Sequence, residues 1–133
     1  MTKERAAIFF RVWLPVLLWM GVIFSLSSVP GEHIPKVPVP YVDKVGHLFE
    51  YGILGALLIR ALLRSKPGMS PLKLSVLAVT VAFLYGISDE WHQVFVPGRS
   101  SEWAEVLLDG LFSMLGIGVF LEGRRHAGGR RAP

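Results

Sequence analysis

The 133-residue chain contains no cysteine. That absence excludes disulfides, thiolate metal sites and a cysteine nucleophile. Charge is also scarce, with Asp, Glu, Lys and Arg making up 18% of the residues. No basic stripe interleaves with aromatics on a polar surface, which argues against a nucleic-acid partner. No internal repeat is evident. No A-x-A-like cleavage site follows the first apolar stretch, whose end reads SLSSVPG, so a cleaved signal peptide fits poorly.

What the chain has in abundance is apolar side chain: 52% of the residues, with a mean hydropathy of +0.49. A soluble domain of this size is ordinarily more polar, so membrane is the leading class. Four apolar segments are visible, at about 8–25, 45–63, 74–94 and 103–121. Each approaches the ~20 residues a helix needs to cross the hydrocarbon. None alternates as a barrel strand would. The expected fold is therefore all-α: an integral membrane bundle of four transmembrane helices in a single domain spanning residues 1–133.

The basic residues orient it. Lys3, Arg5 and Arg11 precede or open the first segment, Arg60, Arg64, Lys66 and Lys73 surround the second link, and Arg124, Arg125, Arg130 and Arg131 follow the fourth. With four spans these share one side, and only Lys36, Lys44 and Arg99 fall on the other. The positive-inside rule then places both termini in the cytoplasm, with loops 28–44 and 95–102 outward. Loop 28–44 carries four prolines and is expected to be extended and stiff. SKPGMSP (65–71) and VPGRSSE (96–102) read as turns, with Ser100 or Ser101 as an N-cap for the fourth helix. Ser101 as a nucleophile is a weak reading, since any serine in a turn looks the same. Trp91, Trp103 and Tyr41 fit interfacial anchors, and Gly52, Gly55, Gly110 and Gly116 fit close helix packing.

The acids show the opposite asymmetry. Glu32, Asp43, Glu50, Asp89, Glu90, Glu102, Glu105 and Asp109 all fall on the outer half, with only Glu4 and Glu122 elsewhere. Acids contribute little to topology, so this clustering needs another cause. Helical spacing supplies one. Asp43, His47 and Glu50 share a face of the second helix beside Tyr51. Tyr85, Asp89 and His92 share a face of the third, with Glu90 and Gln93 on a neighbouring one. Glu102, Glu105 and Asp109 repeat along the fourth, where Asp109 lies ~10 Å below Glu102 at ~1.5 Å per residue. Ionisable groups at membrane depth are costly unless paired or wet, so they turn toward one another. A polar pocket between helices follows, open outward, with Arg99 on the loop above. Solvation at the interface accounts for Asp43, Lys44 and Glu102 equally well, and Glu90 is a candidate partner for Arg99 or Lys44. The i, i+3 pairs His47–Glu50 and Asp89–His92, with Glu105, resemble ligands of a dinuclear carboxylate site. The pattern is short and one pair is reversed, so a metal stays undecided and the cofactor unknown.

DKVGHLFEYGILG (43–55) and YGISDEWHQVFVPGRSSEWAEVLLDGLFSMLG (85–116), preceded by SLSSVPG (25–31), together resemble VanZ-like membrane proteins. The likeness runs from the first helix to the fourth, and its specificity lies in three blocks in order: Asp-Lys-x-x-His, Asp-Glu-x-x-Gln and Pro-Gly-Arg. It implies a four-helix, multi-pass protein of the bacterial cytoplasmic membrane, within the cell envelope. The family's founding member is associated with low-level resistance to the glycopeptide teicoplanin. Some members have been labelled phosphotransbutyrylases, a soluble activity that nothing in this chain calls for. The family's polar positions correspond to Asp43, Lys44, His47, Glu50, Tyr51, Asp89, Glu90, Gln93 and Arg99. In the fourth helix the family more often shows Asp and then Asn, where this chain has Glu105 and Asp109.

Three functions compete. In a binding module, Lys44 and Arg99 at the rim hold the phosphate of an envelope lipid or lipid-linked precursor, and Tyr51, Gln93, Glu105 and Asp109 line the site. In an enzyme acting on such a lipid, His47 or His92 serves as base, Glu50, Asp89 or Glu90 orients it, and Arg99 stabilises phosphoryl charge. In a structural or partner-binding subunit, the polar stripes only lock the helices together.

Overall fold

The computed structural model of the chain describes residues 3–34 and 42–129, apart from the side chains of residues 3–5, 8, 42, 43 and 129. The proline-rich stretch with Lys36 and Tyr41, the Asp43 carboxylate, and Arg130 and Arg131 lie outside the described residues.

Four helices form the molecule: α1 (Lys3–Ser27), α2 (Val42–Ser65), α3 (Pro71–Gln93) and α4 (Trp103–Gly129). No strand occurs among the described residues. All four are long and apolar enough to cross a membrane, as the apolar runs predict. They extend past those runs, by several residues at the start of α1 and the end of α4, because polar flanking residues continue the backbone hydrogen-bonding pattern. Pro15 sits inside α1. Proline deletes one helical donor there, a break that membrane helices tolerate. The turn at 66–70 resets the chain. Ser70 caps α3 by accepting the Lys73 N–H at 3.4 Å, and Pro71 takes the first position, where its missing N–H costs nothing. α4 begins at Trp103, so Glu102, rather than Ser100 or Ser101, stands at its N-cap position.

The helix order is up-down-up-down, with α2 at the centre touching the other three; among the described residues α1 packs on α2 and α3 but not on α4. Where α2 and α4 cross, small residues let the backbones meet. A Cβ on Gly116 would run into the Gly52 carbonyl, and one on Gly55 into the Ser113 carbonyl. Lipid tails are as apolar as leucine, so burial gives little drive between membrane helices and close packing replaces it. Hence the apolar core is modest, built from Val16 and Ile23 of α1, Leu54 and Leu58 of α2 and Ala78 and Ala82 of α3. Larger apolar side chains such as Phe10, Leu18, Leu72 and Val119 point away from it. Three side-chain donors tie α1 in: Trp13 Nε1–H to Ser65 Oγ (3.0 Å), Trp19 Nε1–H to the Glu50 carbonyl (2.8 Å) and Tyr85 Oη–H to the Met20 carbonyl (2.6 Å).

At the end of the bundle away from the termini, two loops dock. The segment after α1 makes a 3₁₀ turn, Gly31–His33. The Gly31 N–H donates to the Pro97 carbonyl at 3.0 Å. Gly98 adopts φ +73°, a left-handed conformation that side chains resist. A Cβ on Gly31 would collide with the Gly98 carbonyl. These two glycines set the path of the 94–102 loop and thereby the position of Arg99.

Candidate functional site

The first part of the site joins α2 to α4. Lys44 Nζ lies 3.1 Å from Glu105 Oε1, and Glu105 Oε2 lies 3.6 Å from His47 Nε2. His47 Nδ1 meets Asp109 Oδ1 at 2.9 Å. The parallel run of the two helices brings residues 44 and 47 level with 105 and 109, so a four-residue chain of alternating character descends into the bundle. His47 has a carboxylate at each ring nitrogen. Asp109 at its base is fully buried.

The second part belongs to α3. Glu90 Oε2 accepts the Glu102 backbone N–H at 2.9 Å, and Ser101 stands beside the same carboxylate. Among the described residues no ion pair joins Glu90 to Arg99 or Lys44, the candidate partners. The carboxylate instead serves orphaned N–H groups ahead of α4, where an anion is stabilised by the helix dipole. Gln93 Nε2 donates to Asp89 Oδ2 and Glu90 Oε1, both at 3.4 Å, and all three side chains are buried. His92 departs from the expected pocket wall. Its Nε2 lies 2.9 Å from Ser28 Oγ and its ring stacks on Phe24 at 4.4 Å, so it faces α1. Tyr85 likewise turns to α1. Of that face Asp89 reaches the shared centre, and the Tyr85 ring borders it, 6.4 Å from the ring of Tyr51.

That centre is formed by Glu50, Tyr51, Asp89 and Asp109. Asp89, Asp109, His47 and Arg99 all act electrostatically on Glu50, and Asp89 and Asp109 both act on Tyr51. The ring of Tyr51 lies parallel to that of His47, 6.1 Å away. Gly86 of α3 makes room for this meeting: a Cβ there would come within 3.2 Å of Asp109 Oδ2 and 3.6 Å of the Tyr51 ring. Five buried polar atoms here have no hydrogen-bond partner among the described residues: Ser27 Oγ, which stands beside the Asp89 carboxylate, Tyr51 Oη, Asp89 Oδ1, Asp109 Oδ2 and, above them, Arg99 Nε. Buried polar atoms are ordinarily satisfied, and each such exception calls for an explanation. Arg99 makes no ion pair among the described residues.

Of the residues singled out from sequence, Lys44, His47, Glu50, Tyr51, Asp89, Glu90, Gln93, Arg99, Glu105 and Asp109 come to one end of the bundle, and His92 lies at the α1 side of the same end. Trp91 and Trp103 are largely exposed, at 69% and 77%, as anchors would be. Among the described residues no group of three or more His, Asp or Glu side chains is placed to hold a metal ion. The two i, i+3 pairs fail to converge because His92 points away from His47. Sequence reasoning missed Trp19, Ser28, Gly31, Gly86 and Gly98. The SSVPG and VPGR blocks held the signal for the two loop glycines. Nothing local to Trp19 or Gly86 announces a role.

A family model described as VanZ/LLP1 matches residues 10–123, which takes in the docked loops and every residue of the site. No curated protein and no solved structure matches the chain.

Proposed function

The chain belongs to the VanZ/LLP1 family, and from that premise we propose that it is a multi-pass protein of the bacterial cytoplasmic membrane whose polar site faces outward and binds a phosphate-bearing envelope lipid or lipid-linked precursor. The observation that carries this reading is Arg99. Its guanidinium sits on a loop held by two glycines, free of any ion pair among the described residues, with Nε buried and unpartnered. A planar fork of donors in that state suits phosphate oxygens.

What lies beneath Arg99 narrows the ligand. Asp89 Oδ1, Asp109 Oδ2 and Glu50 are acceptors, and five acids (Glu50, Asp89, Glu90, Glu105 and Asp109) surround two cations and a histidine. Such a floor repels a second phosphate and favours a group that donates hydrogen bonds, such as sugar hydroxyls or an ammonium. A lipid-linked glycan precursor offers both: phosphate at the rim and hydroxyl donors below. An effect on glycopeptide susceptibility follows from altered access to such precursors at the outer leaflet.

The enzyme reading has one observation in its favour, the 2.9 Å contact between His47 and Asp109, which resembles a base held by an orienting carboxylate. Against it, the second ring nitrogen of His47 faces Glu105 at 3.6 Å rather than open space. The binding reading therefore stands first.

The test compares Arg99→Ala and Arg99→Lys with the native protein, reading the amount in membranes and the co-extracted lipids by mass. Binding predicts normal levels of both variants, loss of the phosphate-bearing lipid from Arg99→Ala, and partial retention in Arg99→Lys. A wild-type sample carrying no enriched phosphate lipid overturns the proposal. A lipid product that accumulates on overexpression and disappears with His47→Ala supports the enzyme instead. Falling protein levels in both Arg99 variants indicate a structural role.

A further inference from the structure

A second feature lies at the opposite end of the bundle, where the termini and most basic residues gather. Between the first half of α3 and the middle of α4 runs an apolar groove of about 360 Å³, walled by Leu72, Val76 and Val79 on one side and Met114, Ile117 and Gly118 on the other. Gly118 borders open space: a Cβ there would have nothing within 4 Å, so the groove has room for a larger side chain at this position. The polar residues on the wall are Ser75 and Thr80, and the Thr80 hydroxyl, at the deep end, donates to the Val76 carbonyl at 2.9 Å. From Leu72 to Thr80 the groove follows α3 for ~12 Å.

One turn nearer the helix ends lies a second cavity of about 270 Å³, lined by Leu63, Pro71, Leu121, Arg124 and Arg125. Pro71 adjoins Leu72 in the chain, and Leu121 stands one helical turn past Gly118, so the two spaces follow one another. Arg124 makes no ion pair among the described residues. Among the described residues Arg125 has only an exposed contact with Glu122 at 3.6 Å, within the same helix. Lys66 and Lys73 bracket Pro71 in the chain and add positive potential at this level.

From this arrangement we infer that the protein holds an anionic phospholipid at the inner leaflet, its phosphate against Arg124 and Arg125 and one acyl chain in the groove beside Gly118. The occupant follows from charge and polarity together. The mouth is cationic and the groove is lined by hydrocarbon, at the depth where headgroup gives way to acyl chain. This site shares no residue with the Arg99 site, so either can fail without the other.

The full-length protein, purified in mild detergent and stripped of lipid, is mixed with phosphatidylglycerol or phosphatidylcholine, and bound lipid is counted by native mass spectrometry. Wild type should retain phosphatidylglycerol in preference. Arg124→Gln/Arg125→Gln should weaken that retention by about fivefold for each arginine removed, the equivalent of ~1 kcal/mol per basic residue, and leave phosphatidylcholine unchanged. Gly118→Leu fills the groove and should lower phosphatidylglycerol retention with unaltered thermal stability. Val76→Phe, on the exposed wall, repeats the test if Gly118→Leu fails to fold. Equal retention of the two lipids by wild type overturns the inference. So does full retention in both groove variants, which would mean surface charge alone. A groove variant that alters oligomeric state and not lipid content would assign the groove to a second copy of the chain, and overturns it as well.

Discussion

Asp109 is the residue whose replacement most directly tests how the site is held. Its carboxylate is fully buried, with Oδ1 2.9 Å from His47 Nδ1, while the His47 side chain is only 12% exposed. Asp109→Ala deletes the partner and leaves the imidazole among Glu50, Tyr51 and Glu105 with one ring nitrogen unserved. Breaking a buried charged pair by removing one member costs about 3–5 kcal/mol. Asp109→Asn behaves differently. The amide oxygen still accepts from Nδ1–H, so a charge-assisted bond worth ~1.5–3 kcal/mol becomes a neutral one worth ~0.5–1.5 kcal/mol. The Asp109 charge disappears at the same time and the imidazole no longer has to carry a compensating one, which offsets part of that loss. The net change should lie within about 1 kcal/mol of wild type. Asn is also the residue that the family resemblance puts at this position. The assay is equilibrium unfolding in detergent, followed by tryptophan fluorescence, for both variants and for His47→Ala and His47→Ala/Asp109→Ala. The double mutant should recover at least ~1 kcal/mol relative to the sum of the singles, because contacting residues are not additive. An Asp109→Ala protein as stable as wild type, or strict additivity in the cycle, would refute the reasoning.

Other outcomes follow from the packing and topology. Gly116→Ala should destabilise by ~1–3 kcal/mol, since its Cβ meets the Gly52 carbonyl and α2 and α4 must part. Gly123→Ala, with nothing within 4 Å, should be neutral or slightly stabilising by unfolding midpoint. Because the chain is free of cysteine, single introduced cysteines report topology directly. Ser100→Cys should react with a membrane-impermeant maleimide in whole cells, and Gly68→Cys only after lysis; the reverse pattern would invert the proposed orientation.

The helices were legible because their signal is local. A run of about twenty apolar residues leaves the backbone no alternative in lipid, and the four runs all became helices. The polar stripes were legible for the same reason: Lys44 with His47, and Glu105 with Asp109, lie on one face whatever surrounds them. The periodicity of α3 misled at His92. Tyr85, Asp89 and His92 do share a face, yet that face meets α1, and Phe24 and Ser28 take the imidazole. Periodicity states which residues stand together and leaves open which neighbour they meet. Glu90 shows the same limit, since its shortest hydrogen bond comes from the backbone N–H of Glu102, and backbone donors carry no residue-type signal.

From the sequence alone come the all-helical class, the four spans, the crowding of acids at one end and the cluster of Lys and Arg at the other. Each depends on side-chain chemistry summed along a segment. The tertiary structure alone decided that His47 lies between Glu105 and Asp109, that Gly31 and Gly98 meet to position Arg99, and that Gly86 lets Tyr51 and Asp109 approach. These depend on where helices cross. Crossing points are set by the few places where backbones can touch, such as Gly52 against Gly116, and a contact of that kind joins residues dozens of positions apart in the chain.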